Sequence, residues 1–550
     1  MKPEGISLIG FGAGSPGGKQ FRAQDPARGV ALDPAFVSAT PGDVERACFL
    51  AAQAAPVLAT LGGAERGKLL RAIAAKIEAH AAPLVARAMQ ETALGEVRLQ
   101  GEVTRTVNQL RLQAGVAEAG DWCDARIETA LPDRKPLPRP DHRSMLRPLG
   151  PVAVFGSSNF PFAYSVAGGD TASALAAGCP VIVKAHPAHP GVSEMVARLV
   201  SEAVRECEWP EGTFSLLFDA GFEVGQSLVR HPAVRAVGFT GSRQGGRALM
   251  DLAAARPEPI PVYAEMGSIN PVFLMPGALA ERGDALAEGL ANSATLSVGQ
   301  FCTSPGVVVL ERSGAAEEFV RKLAARLGAV PEAAMLHAGI KANFDRAVKE
   351  RAKVTGVRTA VGAGLPREQT ESGHSAVAEA MADKKAPPTG KCSAAPVWFE
   401  TDAETFCGTA ALKEEIFGPS AVIVWCQHRN EVLLVAKALE GGLTAAIHAS
   451  ASEAAEQAAL VAVLADKVGR VILNGFPTGL EVSTAIVHGG PYPATSDGRS
   501  TAVGTRAITR WARLVCYQNF ADDLLPPELQ NANPLKLRRM VNGEWTDGKL

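Results

Sequence analysis

Apolar positions recur at helical spacing through residues 43–118: Leu69, Ile73 and Ile77 stand four apart, and Val103, Val107 and Leu110 repeat the pattern. Helices with one apolar face are predicted there, each needing a core to pack on. Five prolines then interrupt residues 129–150, which reads as an extended arm leaving the body of the fold. From Pro151 the texture changes to short apolar runs at 152–155, 180–183 and 236–239, bounded by Gly or Pro and separated by Ala-rich helical stretches. That alternation predicts a parallel sheet covered by helices on both faces. A second series at 272–274, 307–310 and 421–425 predicts a second such unit, with the boundary near Gly267. Residues 495–519 read as another extended segment, suited to pairing with the proline-rich arm. No internal repeat is present. The fold class is therefore α/β, with two doubly wound, Rossmann-like domains and a small extended β arm.

Composition narrows the function classes. Fifty-five Lys and Arg nearly cancel 57 Asp and Glu, so no net field would recruit nucleic acid or an acidic membrane. Arg134, Lys135 and Arg139 are separated by prolines and read as a solvated loop. The nine cysteines include no CxxC pair, which argues against a disulfide framework or a zinc ribbon and for a reducing compartment. The start, MKPEGISLIG, lacks the apolar stretch of a signal peptide, and no apolar run has membrane-spanning length. A cytoplasmic protein without a metal is expected.

Three glycine patterns invite a phosphate reading and do not sustain it. Gly12, Gly14 and Gly17 satisfy GxGxxG, but Pro16 and the polar Lys19-Gln20 do not open a helix. Gly62 through Gly67-Lys68 resembles a phosphate loop, yet Leu69 stands where Ser or Thr would hold magnesium. Lys19 ends a similar near miss, with Ala13 at the first glycine position. Turns are the simpler reading.

Four other segments carry candidate chemistry. Gly156-Ser-Ser-Asn159-Phe-Pro161 places an Asn just past a buried strand, where its amide could donate to an oxyanion; Asn before a Pro-containing turn is also common. Val181-Ile-Val-Lys184 sets a lysine at the carboxyl end of a strand, where open α/β sheets bind ligands; a solvated strand-end lysine is equally compatible. Tyr263-Ala-Glu265-Met-Gly-Ser-Ile-Asn270 places a carboxylate between apolar residues, where semi-burial would suit a general base; a surface Glu in a turn is the plain alternative. Ser297-Val-Gly299-Gln300-Phe-Cys302-Thr-Ser sets a cysteine among small and polar residues. Most lone cysteines are buried hydrophobes, but this setting gives a thiol the access a nucleophile needs.

Together, in this order and spacing, these segments resemble the aldehyde dehydrogenase superfamily. Lys413-Glu414-Glu415-Ile-Phe417-Gly418-Pro419 and Gly238-Phe-Thr-Gly241-Ser242 fit the same pattern, and the resemblance runs from about residue 40 to 520. The stretches around Asn159 and Lys184-Ala-His-Pro-Ala-His-Pro190 look like the branch containing 2,5-dioxovalerate (α-ketoglutaric semialdehyde) dehydrogenases, which also includes enzymes for long-chain aldehydes. Two departures stand out. Ser268 replaces a usual glycine, and a Val541-Asn-Gly-Glu-Trp545 strand-turn sits at the C-terminus rather than near the N-terminus.

The resemblance implies a mechanism. Cys302 would attack the aldehyde, the Asn159 amide and the Cys302 backbone N–H would hold the oxyanion, and Glu265 would activate the water that releases the acid. Lys184, Gly241 and Ser242 would meet the adenosine end of the nucleotide, and Glu415 and Phe417 the nicotinamide end. It further implies a cofactor domain of residues 1–128 and 151–266 and a catalytic domain of 267–480. An oligomerisation arm of 129–150 and 495–519 would support a homodimer or homotetramer, and a tail of 520–550 would pack on an edge of the cofactor domain. Pro187 occupies the position where many NAD-using relatives place a glutamate, so NADP is expected, with NAD allowed. Arg105 and Gln109, four apart on one helix face, are candidates for reading a substrate carboxylate, against a salt bridge from Arg105 to Glu102. A fatty-aldehyde enzyme is the alternative, followed by a coenzyme-A-acylating enzyme or a non-catalytic structural protein.

Overall fold

The computed structural model describes residues 2–362 and 392–550. Helices occupy Pro41–Leu58, Gly63–Ala79, Ala81–Thr92 and Glu96–Ala119, where the apolar period predicts them. Leu69, Ile73, Ile77, Val107 and Leu110 all face one buried core. The first helix starts with a reciprocal cap, Thr40 and Asp43 each satisfying the other's backbone N–H.

The first seven-stranded sheet runs Val262–Glu265, Ala236–Thr240, Val152–Phe155, Val181–Lys184, Phe214–Leu217, Leu8–Ile9, Gly12–Ala13. Its first five strands are parallel. The chain builds outward from Val152–Phe155 in one direction and then returns to its other side. This reversal opens a crevice at the carboxyl ends of the strands, where Lys184, Gly241 and Glu265 lie. The second seven-stranded sheet has Val272–Leu274 between Val307–Glu311 and Gly442–His448, and its antiparallel outer strand is Arg358–Val361. Both interiors are apolar on two faces, which explains why their strands read as continuous apolar runs.

A five-stranded sheet forms the arm, in the order Ala512–Gln518, His142–Pro148, Arg126–Glu128, Arg539–Val541, Glu544–Thr546. Two sequence expectations change here. Of residues 495–519, only Ala512–Gln518 pairs with the arm; Thr495 instead bridges Glu265, and Thr505–Trp511 is a 3-10 helix. The C-terminal tail does not edge the first sheet. Its strand pairs with Arg126 and Ile127, and Leu525, Leu529 and Leu537 bury against Cys123, Ile127 and Met145. The outer edge of the first sheet is taken by the N-terminal strand Leu8–Ile9, antiparallel to Phe214–Leu217. Gly12 and Ala13 pair back onto that strand, so the GxGxxG segment is a turn of sheet edge.

Candidate active site

Cys302 sits in the connection between Pro276–Thr295 and the central strand Val307–Glu311. The backbone before it is unusual. Ser297, Val298 and Gly299 all have positive φ, of 50°, 59° and 65°, and a β-branched residue rarely adopts that region. Gly299 is required twice over, since a Cβ there would stand 2.5 Å from the Gly418 backbone. After the cysteine, Asn270 holds the loop: its Nδ2 donates to Cys302 O at 2.8 Å and Ser304 O at 2.9 Å. Asn270 Oδ1 in turn accepts from Ser268 Oγ at 2.8 Å and Thr444 Oγ1 at 2.9 Å. Ser268 Oγ also accepts Leu443 N–H at 2.9 Å. The hydroxyl that replaces a glycine thus ties the end of the first sheet to the second.

Glu265 ends the strand Val262–Glu265 and is buried. A residue not singled out by the sequence completes the cluster. His488 Nε2 lies 3.1 Å from Glu265 Oε1 and 3.5 Å from Cys302 Sγ, and one donor atom of each of the three residues falls within 4.8 Å of the others. His488 comes from a Gly/Pro-rich connection, 186 positions from Cys302. Its only sequence signal is the His-Gly-Gly-Pro-Tyr-Pro run that begins there. Burial, then the Glu265 charge, pushes the Cys302 thiol well above its ordinary value, against a downward pull from Arg105.

Asn159 is buried on the loop after Val152–Phe155, and its Nδ2 donates to Gln300 O at 3.1 Å, two residues from Cys302. Arg98 donates to Asn159 O at 2.7 Å and pairs with Glu102, whose carboxylate accepts Phe162 and Ala163 N–H at 2.8 and 3.0 Å. Glu102 is therefore the partner of Arg98, not of Arg105. Arg105 donates to Tyr164 Oη at 2.9 Å, and its guanidinium lies 5.6 Å from the Phe160 ring centre and 5.2 Å from that of Tyr164. Those two rings pack with Phe301 into an apolar cluster that Cys302 joins. Gln109 is buried one turn away beside Gly169, its Nε2 without a partner and not joined to Arg105.

At the other end of the crevice, Lys184 lies beside Phe155 and Leu217 in the strand register. Burial pulls its ammonium down to about 8, partly opposed by Asp219. Ser242 caps the helix Arg243–Ala254 by accepting Gly245 N–H at 3.2 Å, and Gly241 N–H donates to Glu265 O at 3.0 Å. Glu415 stands over Gly267, where a Cβ would meet its Oε2 at 2.3 Å. Burial raises its carboxyl to about 8, opposed by the Ser268 backbone N–H. Phe417 reaches from the second unit to pack on the core of the first. All nine cysteines are free.

A nucleotide-type parallel sheet facing a second sheet that presents a cysteine beside a carboxylate defines the architecture of an oxidoreductase acting through a thiol. The comparisons agree. The model of the aldehyde dehydrogenase family matches residues 15–492. Alpha-ketoglutaric semialdehyde dehydrogenase 2 of Azospirillum brasilense is 48% identical over 545 residues, 99% of this chain and 100% of the relative. Alpha-ketoglutaric semialdehyde dehydrogenase of Acinetobacter baylyi is 43% identical over 512 residues, 93% of each. Among solved structures, a betaine aldehyde dehydrogenase of Staphylococcus aureus superposes with a TM-score of 0.78 at 20% identity, covering 96% of this chain and 97% of that one. The chain belongs to the aldehyde dehydrogenase family, and is an NAD(P)-dependent enzyme that oxidises an aldehyde to a carboxylic acid.

Proposed function

We propose that this enzyme oxidises 2,5-dioxopentanoate to 2-oxoglutarate, with Cys302 as nucleophile, Glu265 as the base of deacylation and Asn159 as oxyanion donor. The observation that carries the substrate is the Arg105 guanidinium, set over Phe160 and Tyr164 in the apolar cluster that includes Cys302. A fixed cation beside an otherwise apolar wall suits an aldehyde with a carboxylate at its far end. Two relatives covering nearly the whole chain carry the name of that semialdehyde's dehydrogenase, which supports the same reading.

The sulfur attacks the carbonyl carbon and forms a thiohemiacetal on Cys302; the Asn159 amide and Cys302 N–H hold its oxyanion. The residues of the crevice fit a nicotinamide nucleotide. Among the described residues no carboxylate lies within ion-pair distance of the Lys184 ammonium, and the half-buried Glu415 carboxyl meets the Ser268 backbone N–H. When bound, that cofactor supplies the hydride acceptor that leaves a thioester on Cys302. Lys184, Gly241 and Ser242 would hold its adenosine end, Glu415 and Phe417 its nicotinamide end. Glu265 then takes a proton from water at the thioester. Pro187 puts no negative charge near a ribose 2′-phosphate and Lys184 can pair with one, so NADP is the preferred cofactor. A cytoplasmic location accords with nine free cysteines.

Arg105→Ala should raise KM for 2,5-dioxopentanoate at least tenfold while changing KM for an uncharged aldehyde of equal length less than twofold. Equal effects on both substrates would assign Arg105 to structure, through Tyr164, and favour an uncharged substrate. A kcat/KM ratio favouring NAD over NADP would remove the cofactor preference.

A further inference from the structure

We propose that His488 is the base that takes the thiol proton of Cys302, with the Glu265 carboxylate holding the imidazolium that results. The inference rests on Cys302 being the nucleophile. Burial and the Glu265 charge both favour the neutral thiol at rest, so attack requires a proton acceptor within reach of the sulfur. His488 Nε2 lies 3.5 Å from Sγ, and the same nitrogen lies 3.1 Å from Glu265 Oε1. A ring nitrogen in reach of both a thiol and a carboxylate can take the proton of the first and, once charged, pair with the second.

The ring is positioned by backbone rather than by chance. His488 N–H donates to Thr501 Oγ1 at 2.9 Å, and its carbonyl accepts Ala502 N–H at 2.8 Å. Gly489 and Gly490 follow, and a Cβ on either would collide with backbone oxygen, of Ser500 at 2.5 Å and of Gly442 at 2.2 Å. The connection is thereby clamped against the second sheet, and the imidazole packs beside the Tyr164 ring, centres 5.8 Å apart and planes tilted by 55°. The charged and titratable groups facing the ring include Cys302, Glu265, the Tyr164 hydroxyl and, behind that hydroxyl, Arg105; Tyr263, Asp497 and Arg510 line the same pocket, and Glu415 and Arg470 act on the thiol from further off.

The step balances within the chain and the aldehyde. The S–H bond breaks and its proton goes to Nε2. The sulfur electron pair forms the C–S bond, and the carbonyl π pair moves to oxygen. The acquired proton leaves through Glu265 to solvent, which restores the carboxylate for the later attack of water. One histidine thus separates two duties that would otherwise fall on a single carboxylate.

The test reads the thiol directly, in the protein without aldehyde. Cys302 alkylation by iodoacetamide is followed by peptide mass mapping from pH 5 to 9, in the wild type and in His488→Gln and His488→Asn. Both variants should alkylate at least tenfold more slowly at pH 7, with the rate profile moved to higher pH, and the burst of reduced cofactor should slow by a similar factor at full amplitude. Unchanged melting and nucleotide binding identify a correctly folded variant. Alkylation at the wild-type rate, or slowed without a shift of the pH profile, would overturn the proposal. A Cys302→Ala protein that still oxidises aldehyde would remove the nucleophile reading itself, whatever His488 does.

Discussion

Two carboxylate-dependent events share the few ångströms around Cys302, and single substitutions can separate them. Glu265 is buried and close to both the thiol and the His488 ring, so Glu265→Gln keeps the shape and removes the charge. Loss of the charge removes the partner of the His488 imidazolium, so the burst should slow, but hydrolysis, which needs the carboxylate as base, should slow far more. A stoichiometric burst of reduced cofactor followed by a steady state at least 100-fold slower is expected, with an acyl adduct on Cys302 seen by intact mass spectrometry. Equal loss of burst and steady state without an adduct would place Glu265 in the first half-reaction only. Cys302→Ala should show neither burst nor adduct. Of these residues, Cys302, Glu265 and Asn159 stand out in the sequence because each sits in a compact motif, and the fold brings them close together. His488 does not, because it reaches the thiol through a connection that folds back from 186 positions away, and no local pattern marks such a return.

At the scale of elements, the site depends on two loops whose conformations are held from outside. The Cys302 loop carries three consecutive positive-φ residues and has two carbonyls satisfied by one side chain, Asn270. Asn270→Ala would leave the Cys302 and Ser304 carbonyls without that donor, a cost of about 2 kcal/mol for a buried unsatisfied group. A kcat reduced at least tenfold, with a lower melting temperature, is expected; unchanged kcat would mean the loop holds itself. The sequence spoke clearly about long elements here and poorly about short ones. The helices from Pro41 to Ala119 and the sheet interiors show sustained periodicity or continuous apolar runs. The strands Leu8–Ile9 and Gly12–Ala13 have two residues each, among glycines. The tail strand likewise chose its edge through the burial of Leu525, Leu529 and Leu537, scattered positions with no period.

Across the whole molecule, the arm sheet is the surface left unfinished. At one end the tail closes it: Arg539–Val541 and Glu544–Thr546 add two strands, and the leucines of the tail fill its inner face. At the other end the outer strand Ala512–Gln518 pairs only with His142–Pro148, leaving one row of backbone groups free among the described residues. Leu514 on that strand is 67% exposed. An open strand edge carrying an exposed apolar side chain favours strand addition by another copy of the chain. We therefore propose that the arm serves assembly of a homodimer or homotetramer. Leu514→Glu should weaken that contact by placing a charge in an apolar seam, while leaving the Cys302 site, on separate elements, unaltered. Light scattering coupled to gel filtration checks it: the wild type should elute at two or four chain masses, and the variant should shift toward one at micromolar concentration. A variant with the wild-type mass at every concentration would show that this edge takes no part in assembly.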